Sequence, residues 1–260
     1  MRRLGGFSAV VVALAAATTL AAEQMPDRSF RPMIEDRAYA IGTGPIVCVD
    51  EGHQNQHTLG ESFWPFADLV RRDGYVLRPV TVNRESLVAC RVVVIPSPRS
   101  YVADAEEMRK WVAAGGSLLV IVDRDSMPAA SELANAFGVA PTDSPTTPGR
   151  FRSTDQTLRP HAIARGRHAK ESASSVTTFT GVALRVPANA EPLLVTSDGV
   201  VQGAVMRVDM GRVAFFGDPV LFTAQIVGPE RRVVGMSAPG AEQNFRFVLN
   251  VMHWLSGVIS

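Results

Sequence analysis

Lysine is almost missing from this 260-residue chain: only Lys110 and Lys170 accompany 24 arginines. That leaves few candidates for a Schiff-base or phosphate-cradling lysine, and no glycine-rich GxxxxGK loop occurs anywhere. An excess of one charge is missing as well. With 26 Lys+Arg against 25 Asp+Glu the formal balance is +1, whereas a general nucleic-acid binder carries a clear basic excess, so nucleic acid is excluded as a partner. Aromatic residues make up only 7%, which argues against extended stacking platforms for sugars or single strands. Two cysteines, Cys48 and Cys90, are too few for a disulfide scaffold or a four-cysteine metal site. Beyond the first 22 residues no apolar run reaches 18 residues, so no integral membrane segment is expected there. What remains is the composition of a globular chain, 46% hydrophobic and 20% charged, long enough to bury a substantial core.

Residues 1–22 read as an export signal. Arg2 and Arg3 supply the positive start, Leu4 to Leu20 is apolar and uncharged, and Thr19-Leu20-Ala21 places small residues at the cleavage positions. The alternative, an uncleaved anchor, is weakened by a stretch at the short limit for a span and rich in alanine. Cleavage leaves a net charge of −1 and an exported protein, periplasmic or extracellular. Cys48 lies inside an apolar run and Cys90 just before another. Both read as buried thiols; a disulfide would require neighbouring strands in a suitable register.

Residues 23–43 are polar, contain Pro26 and Pro32, and read as an N-terminal arm leading into one α/β domain over residues 44–260. Ile46-Val47-Cys48-Val49 is the short continuous apolar run of a strand covered on both faces. Phe63, Phe66, Ala67, Leu69 and Val70 follow at helical spacing, with Gly74 placed to stop the helix. Further strands are expected at Tyr75–Val82, Val92–Ile95 and Ser117–Val122. Between the last two, Asp104 and Glu107 form a capping-box pattern for a helix through Met108, Trp111 and Val112. Another helix runs through Leu133, Ala134 and Phe137. The proline-rich residues 141–160 break this rhythm and read as a surface excursion or a lid. Strands at Val176–Thr180, Leu193–Thr196, Val201–Val208 and Arg212–Phe216, and a helix over Ala241–Leu255, complete the chain. The alternation predicts a mostly parallel sheet with helices on both faces. In such sheets ligands bind beyond the carboxyl ends of the strands.

Three of those ends carry polar clusters. Asp50, Glu51, His53, Asn55 and His57 follow the first strand. Imidazole with carboxylate at this spacing suits a divalent metal, with His53, His57 and Asp218 as ligands and Glu51 as a base on bound water. Contact with a small polar ligand is the alternative chemistry, and hydrogen bonding of the loop to its own backbone is the plain account. Asp123-Arg124-Asp125-Ser126 follows the fourth strand, where Ser126 is a candidate nucleophile without a GxSxG elbow. Asp218 emerges after Val213–Phe216, as a ligand contact or a helix N-cap. His161 and His168 sit in an arginine-rich stretch that reads as a solvated face. His253, beside Trp254, reads as a packing histidine.

Several segments together resemble a known family. Val49-Asp50-Glu51-Gly52-His53, Phe66-Ala67-Asp68-Leu69, Asp73-Gly74-Tyr75, Gly115-Gly116-Ser117, Thr178-Phe179-Thr180-Gly181, Gly217-Asp218, Phe222-Thr223-Ala224-Gln225 and Asn250 with His253-Trp254-Leu255 carry the likeness. In order and spacing they resemble an uncharacterised exported bacterial family with a domain like the class I glutamine amidotransferases. The stretch from Gly211 to Asp218 with the last helix is also similar to the soluble domain of gliding-motility ABC-transporter auxiliary proteins. The resemblance implies a flavodoxin-like three-layer sandwich. It also implies what is lost, because amidotransferases use a Cys after a central strand and a His-x-Glu pair after a late one. Here Asp123 to Ser126 contains no Cys, and Gly217-Asp218 is followed by no His. The expected activity is therefore binding of a small polar ligand or a cell-envelope protein at the strand ends. A metal-dependent hydrolase and a structural module of an envelope or transporter assembly are the alternatives.

Overall fold

A computed structural model describes residues 24–102, 104–144 and 146–260; the expected export signal lies outside them. The arm opens with a short strand, β1 (Gln24–Pro26). The apolar runs then form β2 (Ile46–Asp50), β3 (Val76–Val80), β4 (Val92–Pro96) and β5 (Ser117–Ile121), with helices α1 (Trp64–Arg72), α2 (Arg84–Leu87) and α3 (Ala105–Ala113) between them. Helix α4 (Met127–Asn135) precedes four short strands, β6 (Ala140–Thr142), β7 (Arg150–Arg152), β8 (Ser175–Thr177) and β9 (Ala183–Arg185), with α5 (Ala162–Arg165) among them. The chain closes with β10 (Glu191–Val195), β11 (Val201–Val208), β12 (Gly211–Phe216), β13 (Ala224–Val227), β14 (Arg232–Gly235) and α6 (Asn244–Ser256).

Seven strands form one mixed sheet in the order β10-β11-β12-β5-β4-β2-β3. From β12 to β3 all neighbours are parallel, whereas β11 runs antiparallel to both β12 and β10. The local chemistry explains this change. The strands from β2 to β5 follow one another through helices, and β2, β4 and β5 are almost wholly apolar, while β11 and β12 are joined by the tight turn Asp209-Met210, which only an antiparallel pair can use. Alternate side chains enter two separate cores. Leu119 and Ile121 of β5 pack with Phe66, Leu69, Phe247 and Val251 of α1 and α6. Leu118 and Val120 pack with Met108, Val112, Ala130 and Leu133 of α3 and α4. Each fully buried aliphatic side chain contributes roughly 1.5–3 kcal/mol relative to exposure, so these two layers hold the strand ends in place.

Several sequence expectations are modified. Asp104 does accept a hydrogen bond from the Glu107 backbone N–H at 3.3 Å, but the return half of the capping box is replaced by the Glu107–Lys110 contact at 2.9 Å. The excursion at 141–160 is partly ordered as strand: β6 pairs with β9 and β7 with β8, both antiparallel. The N-terminal arm joins a three-stranded sheet through β1 and β13. Cys48 and Cys90 are not thiols but a disulfide, with Cα atoms 5.7 Å apart. The pairing of β2 with β4 at Cys48 and Val93 is what brings Cys90, on the approach to β4, within reach.

Both edges of the large sheet are occupied or blunted. In β3, Val76 N–H and Val80 C=O bond inward to Pro45 and Glu51. The alternation of the strand therefore turns Pro79, which has no N–H, toward the open edge. At the other edge residues 157–159 lie against β10, with Arg159 N–H bonded to Leu193 C=O and Val195 N–H to Thr157 C=O.

Candidate functional site

The polar cluster after β2 is divided by its own hydrogen bonds. Asp50 is completely buried, and both of its oxygens lie 2.9 Å from His53 Nδ1, while Oδ1 also accepts from the Val82 backbone N–H. The His53 carbonyl accepts from Arg99 and Ser100 N–H, and the Asn55 amide donates to Pro96 C=O while its oxygen accepts from His53 N–H. This loop therefore spans the gap between the ends of β2 and β4, where the strand order reverses. Glu51 Oε1 accepts from Leu59 N–H at 2.6 Å, so the expected general base is engaged in closing its own loop.

His57 turns away from His53. Its Nδ1 meets Ser62 Oγ at 2.6 Å and its ring stacks at 5.4 Å on Phe63, which anchors the start of α1. Burial pulls its pKa from the ordinary 6.5 down to about 4, with Asp123 opposing and Arg99 assisting that fall. The ring is thus neutral at pH 7, and its buried Nε2 has no hydrogen-bond partner.

Asp123 leaves the end of β5 in a closed turn. Its Oδ1 accepts from Ser126 N–H at 2.7 Å, and Ser126 Oγ accepts from Asp123 N–H at 2.9 Å. Ser126 is fully buried, with its hydroxyl also directed to Asp123 C=O, so the candidate nucleophile caps a turn. The second Asp123 oxygen, Oδ2, is buried and unpartnered. At the end of β12, Asp218 accepts from Phe179 N–H at 2.6 Å, Thr180 Oγ1 at 2.8 Å and Val220 N–H at 2.9 Å. Its burial raises the pKa from 3.8 to about 6 although these three donors favour the carboxylate. Asp218 is therefore a positioning group: it pins residues 179–180 beside the sheet.

An open cleft of about 380 Å³ results, lined by His57, Asp123, Thr146, Phe179, Thr180 and Gln225 among others. Three of its lining residues each hold one buried polar atom without a partner: His57 Nε2, Asp123 Oδ2 and Thr146 Oγ1. Of the residues singled out in the sequence, His57 and Asp123 line this cleft, and Asp218 shapes it from behind. Asp50, Glu51, His53 and Asn55 do not line it. The expected His53/His57/Asp218 metal set is not assembled, because each side chain is drawn to a different partner; among the described residues no group of three or more His, Cys, Asp or Glu converges. Thr146 is not identified by sequence reasoning, and Thr180 and Gln225 enter it only within segments that carry the family resemblance, with no role at a site. The three line one cleft because distant segments come together at the ends of β5 and β12.

No family model matches the chain, and no curated protein matches it in sequence. Among solved structures, the mmIFT52 N-terminal domain is similar over 81% of this chain and 97% of its own, with 15% identity and a TM-score of 0.63. A cytoplasmic protein from Salmonella typhimurium is similar over 81% of this chain and 98% of its own, with 14% identity and a TM-score of 0.52. These likenesses concern the α/β fold. A putative GMP synthase component from Thermoplasma acidophilum is more distant, with 13% identity, a TM-score of 0.47, and 81% and 96% of the two chains covered; at that level it does not speak for a reaction.

Proposed function

We propose that this chain is an exported, glutamine amidotransferase-like protein without the Cys-His-Glu triad, and that it binds a small polar ligand in the cleft at the ends of β5 and β12. The observation that carries this reading is that three residues lining one cleft, His57, Asp123 and Thr146, each hold a buried polar atom without a partner. Unpaired buried groups cost about 1–3 kcal/mol each, and a ligand that satisfies them is favoured by that margin. Asp123 accepts a hydroxyl or amine hydrogen, and neutral His57, oriented by Ser62, supplies a second directional contact. The strand order β3-β2-β4-β5-β12, numbered along the chain as 2-1-3-4-5, supports a flavodoxin-like three-layer sandwich. The Cys48–Cys90 disulfide supports an oxidising compartment such as the periplasm.

The test is a melting-temperature screen of the purified protein against amino acids, polyols, sugars and nucleosides. A ligand at a hundred times its Kd adds about 2.7 kcal/mol of stability. Asp123→Asn keeps the oxygen that caps Ser126 and replaces the free acceptor with a donor. It is expected to abolish the ligand's effect while leaving the unliganded melting temperature nearly unchanged. A screen without hits, or hits indifferent to Asp123→Asn, would remove the cleft as the binding site. Stoichiometric metal in the purified protein would favour the hydrolase, and a co-purifying envelope protein the assembly module.

A further inference from the structure

A second cavity, of about 150 Å³, lies between the N-terminal arm and α6 and shares no lining residue with the cleft. Met33, Ile34, Phe245 and Leu249 give it an apolar wall, and Glu35, Asp36, Lys170, Glu171 and Arg246 line it as well. Two polar side chains of α6, Asn250 and His253, complete it from one face of the helix, three residues apart. Both are buried, and each has one atom without a partner: Asn250 Oδ1 and His253 Nδ1.

The rest of each side chain is fully committed, which fixes what the free atoms can do. Asn250 Nδ2 donates to Ile163 C=O at 2.8 Å and Glu171 C=O at 2.9 Å, so its oxygen must be the atom left over. His253 Nε2 lies 2.7 Å from Asp73 Oδ2, and the other oxygen of the buried Asp73 accepts from Ala38 N–H. Facing a carboxylate, Nε2 carries a ring proton, and Nδ1 is the ring nitrogen left without a partner. The cavity wall therefore offers the Asn250 oxygen as a free acceptor, with the unpartnered ring nitrogen of His253 beside it. A void of this size takes a benzene-sized molecule, which is more than a single bridging water requires.

We propose that this cavity is a ligand site of its own, for a small, mainly apolar molecule with a hydrogen-bond-donating head such as an alcohol. The apolar body lies against Ile34, Phe245 and Leu249, and the head donates to the Asn250 oxygen, beside His253. Met33, 75% exposed, stands at the mouth. The proposal does not depend on the cleft.

Calorimetric titration with benzyl alcohol, and with toluene as the counterpart without a donor, tests it. Benzyl alcohol is expected to bind at least about tenfold more tightly than toluene, the margin of one well-made hydrogen bond. Leu249→Trp fills the cavity from the helix and is expected to abolish binding. Should that variant fail to fold, Met33→Trp obstructs the mouth from an exposed position and is expected to weaken binding about tenfold or more. Asp123→Asn, in the cleft, is expected to leave benzyl alcohol binding unchanged. Equal affinity for toluene, undiminished binding by Met33→Trp, or a crystal structure in which ordered waters stay on Asn250 and His253 in the presence of the probe would each overturn the proposal.

Discussion

His57 and Asp218 are both buried at the strand ends, but burial moves a base and an acid in opposite directions. His57 has a folded pKa of about 4 against 6.5, so the stability it contributes is complete above 6.5 and is lost as pH falls toward 4. Asp218 has a folded pKa of about 6 against 3.8, so its contribution is complete below 3.8 and is lost as pH rises through 6. Each effect is on the order of 3 kcal/mol, and between pH 4 and 6 they oppose each other. Urea unfolding at pH 4, 5, 6 and 7 can separate them. Relative to the parent, His57→Gln is expected to lose stability as pH rises through this range, and Asp218→Asn to gain it; difference curves of the same sign would refute the assignment. At this scale the sequence is only half legible. The composition of the strand ends identifies His57, Asp123 and Asp218, but nothing in residues 50–57 signals that His53 is held by Asp50 while His57 turns to Ser62. Neighbours in sequence part company because each finds a stronger local partner.

The end of β12 shows how an element, rather than a side chain, sets the cleft. A Cβ on Gly217 would lie 2.0 Å from Val182 C=O, and this same backbone pair is joined by the bond from Val182 N–H to Gly217 C=O at 2.8 Å. Neither side of the contact is a flexible side chain, so Gly217→Ala must displace the segment 179–182 that forms one wall. The expected cost is about 1–3 kcal/mol in urea unfolding, together with weaker binding of any cleft ligand found in the screen. Strands β2, β4 and β5 are readable from sequence because strands covered on both faces are unbroken apolar runs. The short β6 and β7 are not, since three-residue strands hold their form only through β9 and β8, which lie more than twenty residues further along. The disulfide is illegible for a related reason: whether Cys90 reaches Cys48 depends on β4 lying beside β2, which neither cysteine's surroundings reveal.

On the scale of the whole molecule, that disulfide closes a loop containing α1, β3 and α2, with its cysteines 42 residues apart. Loop-closure entropy for such a span corresponds to about 4 kcal/mol. Unfolding in urea with and without reductant, repeated on Cys48→Ala/Cys90→Ala, is expected to show a loss of a few kcal/mol in both; an insensitive midpoint would argue against the bond. The parallel sheet stands on two cores that share only its strands, so the cleft and the α6 cavity belong to surfaces that can be altered separately. The treatment of the sheet's margins has a wider result. With Pro79 set toward one edge and residues 157–159 covering the other, the ladder of the seven-stranded sheet offers only a poor template on which a second chain could continue it. Growth of this seven-stranded sheet by addition of copies, the route to fibres, is therefore disfavoured on both sides.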